Sequence, residues 1–422
     1  MNKREDHFLK EVAGHIKSKE AKAFVTAELS FHLKKAKRFW QEKGFSDETA
    51  EEKAVEQMGS PVRLGQDLNK LHKPKVDWML MTLLAAALGF GFLPIFALDY
   101  TEAFLLSKII IVLLGIAVAI GIMLFDYRKI ERLGWLFYII GVVLLLVLRT
   151  FPTTMINGQS FIAFGAITIE SLMALPFFFL AWASFFNNPK MKIWQIALLY
   201  IFSLYLFFSI PNLSTALIYT VMVFVMLWWS QFSKKNKLMM TVVSFVLIAS
   251  VGLLFFFRTE EYQMQRLVGY LYPEEHADSA GYIYLRLQEV FSSAGWFGTT
   301  DGFRFIPSAH TDFVFATMTF YYGYAFAMVL VVVLSLFAVR MIMITKYMNS
   351  SFGKLLLVGS MTLFIVQFVY NIAMMLGLLP LTSISLPFIS YGLMPTLFNA
   401  FLIGIVLSVY RRKSLVSGSV QY

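Results

Sequence analysis

The chain has 422 residues, 58% of them hydrophobic and 17% aromatic but only 15% charged, with a net charge of +10. Soluble domains carry about 25% charged residues, so the shortfall points to lipid as the solvent of much of the chain. There is no cysteine, which excludes disulfides and thiolate metal sites, and in such a chain the positive balance reads first as loop charge at the cytoplasmic face, not as a nucleic-acid surface.

Residues 1–76 hold 16 Lys/Arg and 12 Asp/Glu. They are too polar for a signal peptide. Apolar residues recur at helical spacing in EVAGHIKSKEAKAFVTAELSFHLKKAKRFW. In SDETAEEKAVEQMG, Ser46 and Asp47 are good N-cap types and Gly59 is a natural stop. Ser60 followed by Pro61 repeats the start signal. These signals predict a bundle of three or four helices, and EQMGSPVRLGQDLNKL resembles the short helical prefix domains that precede some bacterial permeases. A cytoplasmic domain without catalysis is expected, with partner binding or regulation as the alternative.

From Asp77 onward the chain is a series of apolar runs, each long enough for the roughly 20 residues a bilayer crossing needs. Ten are expected, near 77–98, 104–124, 132–149, 162–187, 193–210, 213–231, 237–257, 312–345, 354–377 and 391–410. The connections KLHKPK, DYRKIER, NNPKMK, SKKNK, KYMNSSFGK and YRRK are basic and alternate with connections almost free of Lys and Arg. By the positive-inside pattern both termini are cytoplasmic and the long loop 258–311 is outside. The fold class expected is an all-α polytopic membrane protein: a prefix domain at 1–76, a membrane part at 77–413 and a tail at 414–422.

Loop 258–311 carries Arg258, Arg266, Arg286 and Arg304 with several acids. Long loops of this kind are commonly functional. Its segment GYIYLRLQEVFSSAGWFG reads as an amphipathic helix whose Leu285, Val290 and Phe291 face the membrane surface. His310-Thr311-Asp312 closes the loop. From position alone Asp312 reads as a helix N-cap. A carboxylate at a membrane–water boundary can equally serve as a general base. Two other ionisable residues, Lys108 and Glu170, fall inside apolar runs. Such groups usually face protein or a water-filled cavity, and being near the outer helix ends they can snorkel or pair and line an outer cavity. In LPFISYG, Pro380, Pro387, Gly377 and Gly392 surround Ser390 and Tyr391. Non-helical backbone at membrane depth survives only inside protein or beside a cavity, so a broken segment beneath the outer cavity is expected. There Ser390 and Tyr391 contact substrate or satisfy freed backbone groups. Asn212 after Pro211 reads as structural.

With ten apolar runs, the large loop between the seventh and eighth, and AHTDFVFA at its end, residues 77–413 resemble the SEDS family of FtsW, RodA and SpoVE. The carrying blocks are GLLPLTSISLPFISYGLMP at 377–395, PSAHTDFVF at 307–315, IPNLSTA at 210–216 and SAGWFG at 293–298, with Gln367 and Asn371 in place. Departures are also visible. The family's Glu before the HTDF block is Ser308, its paired acids beyond are Phe320 and Tyr321, and the Asp of its QPDLG block is Asn212. Its GARRWI arginines are absent from NGQSFI, its QPSE block is degenerate around Glu170, and its YGGSS ends here as Leu393, Met394 and Pro395.

The resemblance implies polymerisation of lipid II, the undecaprenyl-diphosphate-linked disaccharide-pentapeptide, with Asp312 as catalytic residue. It also implies a class B penicillin-binding protein, a single-span transpeptidase, as partner in the cytoplasmic membrane. Chemically, Asp312 would take the proton of the attacking sugar hydroxyl, a role that partial burial favours by raising its pKa, in an inverting transfer. The leaving diphosphate needs compensation by Arg286 or Arg304, or by a divalent cation such as magnesium or manganese. His310 and Thr311 organise or touch the substrate; no second His or carboxylate stands at ligand spacing, so no metal site is expected. The alternative function is a non-catalytic scaffold that recruits a transpeptidase and wall machinery. A lipid transporter is less well supported, since no inverted repeat or intramembrane charge series is visible.

Overall fold

The computed structural model describes residues 3–156, 159–164, 167–210, 212–258, 261–299 and 305–415. They divide into two compact units, Met1–Asp77 with Tyr410–Tyr422, and Trp78–Val409.

The first unit contains α1 (Lys3–Gly14), α2 (Lys19–Glu42), α3 (Asp47–Met58) and α4 (Pro61–Leu71). Ser18 accepts the Ala21 amide at the start of α2, and Ser46 accepts the Thr49 amide at the start of α3. These are hydroxyl caps of the kind that satisfy orphan amides. Gly59 ends α3 at φ +77°, a conformation that costs glycine little. Ala21, Val25, Leu29 and Leu33 recur every fourth residue along α2 and form the buried stripe, joined by Phe8, Val12 and Ile16. The carboxyl end of the chain also belongs to this unit. Leu415 lies in the same apolar cluster, and the buried Arg412 makes two bonds to Glu20, Nε to Oε2 at 2.9 Å and Nη2 to Oε1 at 2.8 Å, a fork-to-fork pairing.

The second unit contains α5 (Trp78–Phe90), α6 (Leu93–Ala97), α7 (Glu102–Leu124), α8 (Gly134–Thr150), α9 (Leu175–Asn187), α10 (Ile193–Ser209), α11 (Leu213–Trp229), α12 (Lys234–Arg258), α13 (Glu261–Leu271), α14 (Tyr282–Ser293), α15 (Val314–Lys346), α16 (Ser351–Met375) and α17 (Leu393–Arg411). Among the described residues, six helical stretches are long and apolar enough to cross a membrane: 78–97, 102–124, 127–150, 314–346, 351–375 and 393–411. Three shorter apolar helical stretches cover 171–187, 193–209 and 213–229. Their outward faces are apolar, as with Ile110 and Leu113 on α7, because lipid requires no polar covering.

Three findings differ from the sequence reading. The run expected to cross at 162–187 is helical only from Ser171. Before it, β1 (Thr154–Ile156), β2 (Gln159–Phe164) and β3 (Ile167–Ile169) form an antiparallel meander, with Thr154 opposite Phe161 and Ala163 opposite Thr168. The β-branched composition of TTMINGQSFIAFGAITI favours strands over helix. Second, Val290 does not face a membrane surface. It is buried in the protein, and Phe291 packs against Phe315 with ring centroids 6.3 Å apart. The apolar side of α14 is thus used to seat the loop on α15.

Third, α15 is broken. Gly323 has φ +82°, and the SAGWFG segment fills the gap in its hydrogen-bond ladder. Tyr324 N donates to Gly295 O at 3.2 Å, Ala325 N to Trp296 O at 3.1 Å, and Thr299 N to Phe320 O at 2.9 Å. A Cβ on Gly298 would stand 2.1 Å from Tyr321 O, and one on Gly323 would stand 2.3 Å from Trp296 O. Only glycine permits this approach.

Candidate active site

The segment 307–313 is a tight turn. Ser308 adopts φ +58° and its carbonyl accepts the amides of Thr311 at 3.0 Å and Phe313 at 3.2 Å. Thr317 Oγ1, one turn into α15, donates back to Ala309 O at 2.8 Å. The helix starts at Val314 with Phe313 in the capping position and no side-chain cap bond. The Asp312 carboxylate is therefore not the N-cap of the span. Its own carbonyl is tied instead, accepting Asn371 Nδ2 of α16 at 2.9 Å, while the same amide also donates to Ile384 O at 2.6 Å. Among the described residues the Asp312 carboxylate accepts one long hydrogen bond, from Ser385 Oγ to Oδ1 at 3.4 Å.

The segment between α16 and α17 is the broken stretch the sequence implies, with Gly377 and Phe388 at positive φ. It straps the turn in place. Ser390 Oγ donates to Thr311 O at 2.7 Å and accepts the Leu386 amide at 2.8 Å. Tyr391 N donates to His310 O at 2.9 Å. His310 meets Tyr100 Oη through Nδ1 at 2.8 Å, and the rings of Phe104 and Tyr391 stand 5.9 and 5.6 Å from its imidazole. Helix α15, helix α16 and the strap thus fix the backbone, and Tyr100 the imidazole, around a carboxylate that accepts one long bond among the described residues.

Burial pushes the Asp312 carboxyl up to about 6, with the Ser385 bond opposing the shift. Burial likewise pushes Glu170, just before the apolar helical stretch 171–187, up to about 7, and the charge of Asp312 adds to that. Desolvation penalises each anion, and the Asp312 charge further penalises that of Glu170. Burial lowers the His310 pKa, so the ring is neutral near pH 7.

The other sequence-derived residues are placed as follows. Glu170 feels the charge of Asp312, and among the described residues the Lys108 ammonium bonds Ser390 O and not Glu170. Lys108 does not snorkel: it is 0% exposed and donates to Ser390 O at 3.1 Å. Ser390 is buried and spends its hydroxyl on backbone, whereas Tyr391 is partly exposed. Arg286 is engaged within α14, by Glu289 at 2.5 Å and Tyr282 Oη at 3.1 Å. Arg304 lies outside the described residues. Tyr100, Ser385 and Phe104 are site residues that sequence reasoning missed; each is an ordinary residue locally and is recognisable only by its neighbour in space. Asn212 caps α11 by accepting the Thr215 amide at 3.2 Å, in keeping with a structural role.

No group of three or more His, Asp or Glu able to hold a metal exists among the described residues. Among the described residues, Asp312 and Glu170 alone supply too few oxygen ligands for a magnesium or manganese ion.

A bundle of apolar helices with two carboxylates held at one end of it defines a multi-pass membrane protein. The family model of the FtsW, RodA and SpoVE cell cycle proteins matches residues 78–415, and the chain belongs to that family. It is 27% identical over 365 residues to the peptidoglycan glycosyltransferase MrdB of Escherichia coli K12, covering 82% of this chain and 97% of that one. The fold is similar to that of a chain in a peptidoglycan synthase complex, with TM-score 0.69, 24% identity and coverage of 80% of this chain and 98% of that one. It is also similar to the rod shape determining protein RodA of Thermus thermophilus, with TM-score 0.61, 22% identity and coverage of 80% and 97%.

Proposed function

We propose that the chain is a peptidoglycan glycosyltransferase that polymerises lipid II at the outer face of the cytoplasmic membrane, with Asp312 as general base. The observation that carries this reading is the state of Asp312. Its backbone is tied by Asn371 and its neighbours by the strap, yet among the described residues its carboxylate accepts one long bond, from Ser385, and caps no helix. A base must be held in place with its oxygens available.

In the proposed step the hydroxyl of the acceptor sugar attacks the anomeric carbon of the donor from the face opposite its diphosphate. Asp312 takes the hydroxyl proton as the new C–O bond forms. The anomeric C–O bond to the diphosphate breaks, and the polyprenyl diphosphate leaves with its electron pair, so the anomeric configuration inverts. Glu170, held neutral at pH below about 7 by burial and by Asp312, is suited to donating a hydrogen bond to a departing phosphate oxygen. Two carboxyl groups with separated pKa values divide base and donor roles in this way. His310 and Thr311 line the turn, Tyr391 is the strap residue open to substrate, and of the two loop arginines proposed for the diphosphate, Arg286 would first have to leave Glu289, while Arg304 lies outside the described residues.

The loop charges support an orientation with ten crossings, 258–311 outside, and both termini and the prefix unit in the cytoplasm. A class B penicillin-binding protein is the proposed partner, supported by the similarity to a chain of a peptidoglycan synthase complex that coordinates polymerization and crosslinking. The test is polymer formation from labelled lipid II by purified protein, alone and with such a transpeptidase. Wild type should polymerise and Asp312→Asn should not. A well-folded Asp312→Asn that polymerises at the wild-type rate would remove the base from the mechanism, and an inactive wild type beside an active relative would favour the scaffold.

A further inference from the structure

Lys108 is a buried cation that the proposed step does not use. It sits in the second turn of α7, is 0% exposed, and donates to one acceptor, Ser390 O at 3.1 Å. Burying an ammonium is costly unless it is hydrogen-bonded, so its place needs a reason. The notch around it depends on Gly91. A Cβ there would lie 3.2 Å from Lys108 Nζ, 3.2 Å from Leu88 O and 2.7 Å from Phe388 O. Backbone carbonyls and a missing side chain therefore make the room. Phe388, at φ +65°, turns the strap at this point.

The carbonyl that Lys108 grips belongs to the peptide unit joining Ser390 to Tyr391. The N–H of that same peptide unit donates to His310 O at 2.9 Å. An ion at one end of a peptide dipole orients the plane and strengthens the donor at the other end. The neighbouring Ser390 hydroxyl holds Thr311 O. One ammonium thus lies two bonds upstream of both residues that precede Asp312.

We propose that Lys108 is a positioning residue, acting through the Ser390–Tyr391 peptide unit to hold His310-Thr311-Asp312 in register for proton transfer. The proposal rests on the glycosyltransferase reading, but its structural half stands apart from it. No substrate contact is assigned to the Lys108 side chain here: the closed notch leaves its effect to pass through the strap.

The test combines kinetics with amide hydrogen exchange of peptides covering 384–392, on the full-length protein in detergent. Lys108→Met, close in shape but without charge or donor, should lower kcat at least tenfold, leave KM within about threefold and shift the acid limb of the pH–rate profile. Exchange at the Tyr391 amide should rise at least tenfold. Gly91→Ala keeps the charge but crowds the notch. It should move the same readouts in the same direction, and the double variant should be no worse than the weaker single. If Lys108→Met does not fold, Gly91→Ala decides. Unchanged Tyr391 exchange, or kcat within twofold of wild type, in the folded variant overturns the proposal. A wild type that makes no polymer while Lys108→Met still loosens Tyr391 overturns the functional reading and leaves the grip of Lys108 intact.

Discussion

Ser390 and Thr311, 79 residues apart in sequence, are joined by a 2.7 Å hydrogen bond in which the serine hydroxyl donates to the threonine carbonyl. The same hydroxyl accepts the Leu386 amide, so Ser390→Ala orphans two buried backbone groups at once. At about 1–3 kcal/mol for each unsatisfied group, the variant should lose stability and polymerise at least tenfold more slowly. Initial rates and a detergent-phase melting curve measure both, and a variant that retains the wild-type rate would place the strap outside the working site.

Asp312 must be ionised to accept a proton, and its carboxyl titrates at about 6. The rate should therefore fall as pH drops through about 6. Asp312→Asn should lower the plateau by about 10²–10⁴-fold, the usual range for a general base. An acid limb that persists unchanged in a residual activity of Asp312→Asn would assign that limb to another group.

Glu170 titrates higher, at about 7, and serves as a donor only when protonated. Activity should decline above about pH 7 from this cause. Glu170→Gln keeps a donor and cannot ionise, so its alkaline limb should flatten while the rate near pH 6.5 stays within about threefold. A profile identical to wild type would show that Glu170 does not titrate in the reaction.

Gly298 and Gly323 meet backbone to backbone where SAGWFG closes the break in α15. Gly323→Ala would place a Cβ 2.3 Å from Trp296 O at a φ of +82°. Strain of this kind costs on the order of 1–3 kcal/mol before any clash is counted. The melting temperature should fall by several degrees, and a variant as stable as wild type would mean that the segment can withdraw from α15.

In the first unit, Glu20→Ala would remove both bonds to the buried Arg412 guanidinium. Hydrogen bonds to charged groups contribute about 1.5–3 kcal/mol. Limited proteolysis should then cut residues 3–71 sooner than the membrane part, and Glu20→Gln should recover part of the loss.

Much of the site is legible without coordinates because it lies in blocks that are unusual in themselves. A His-Thr-Asp run at the mouth of an apolar helix and a proline–glycine-broken LPFISYG segment both stand out from twenty-residue apolar runs. The helical character and most helix limits follow from apolar length alone. What the sequence did not disclose is contact. Tyr100 is one aromatic residue among many until it meets His310, and Lys108 looks like a snorkelling cation until Gly91 is seen to make it a notch. The meander at 154–169 was hidden because its apolar residues extend the run of the following helix, and hydropathy counts a strand and a span alike. The break at Gly323 was hidden because a glycine within an apolar helix is common, and its cause lies in a segment 25 residues earlier.

The strap residues 384–391 and the closing residues Arg412 and Leu415 are all made after Asp312. During synthesis, Asp312 is made 78 residues before Ser390 exists to hold Thr311, and the apolar cluster of the first unit is incomplete until Leu415 is made. A chain cut short by premature termination would therefore hold the key carboxylate without its scaffold.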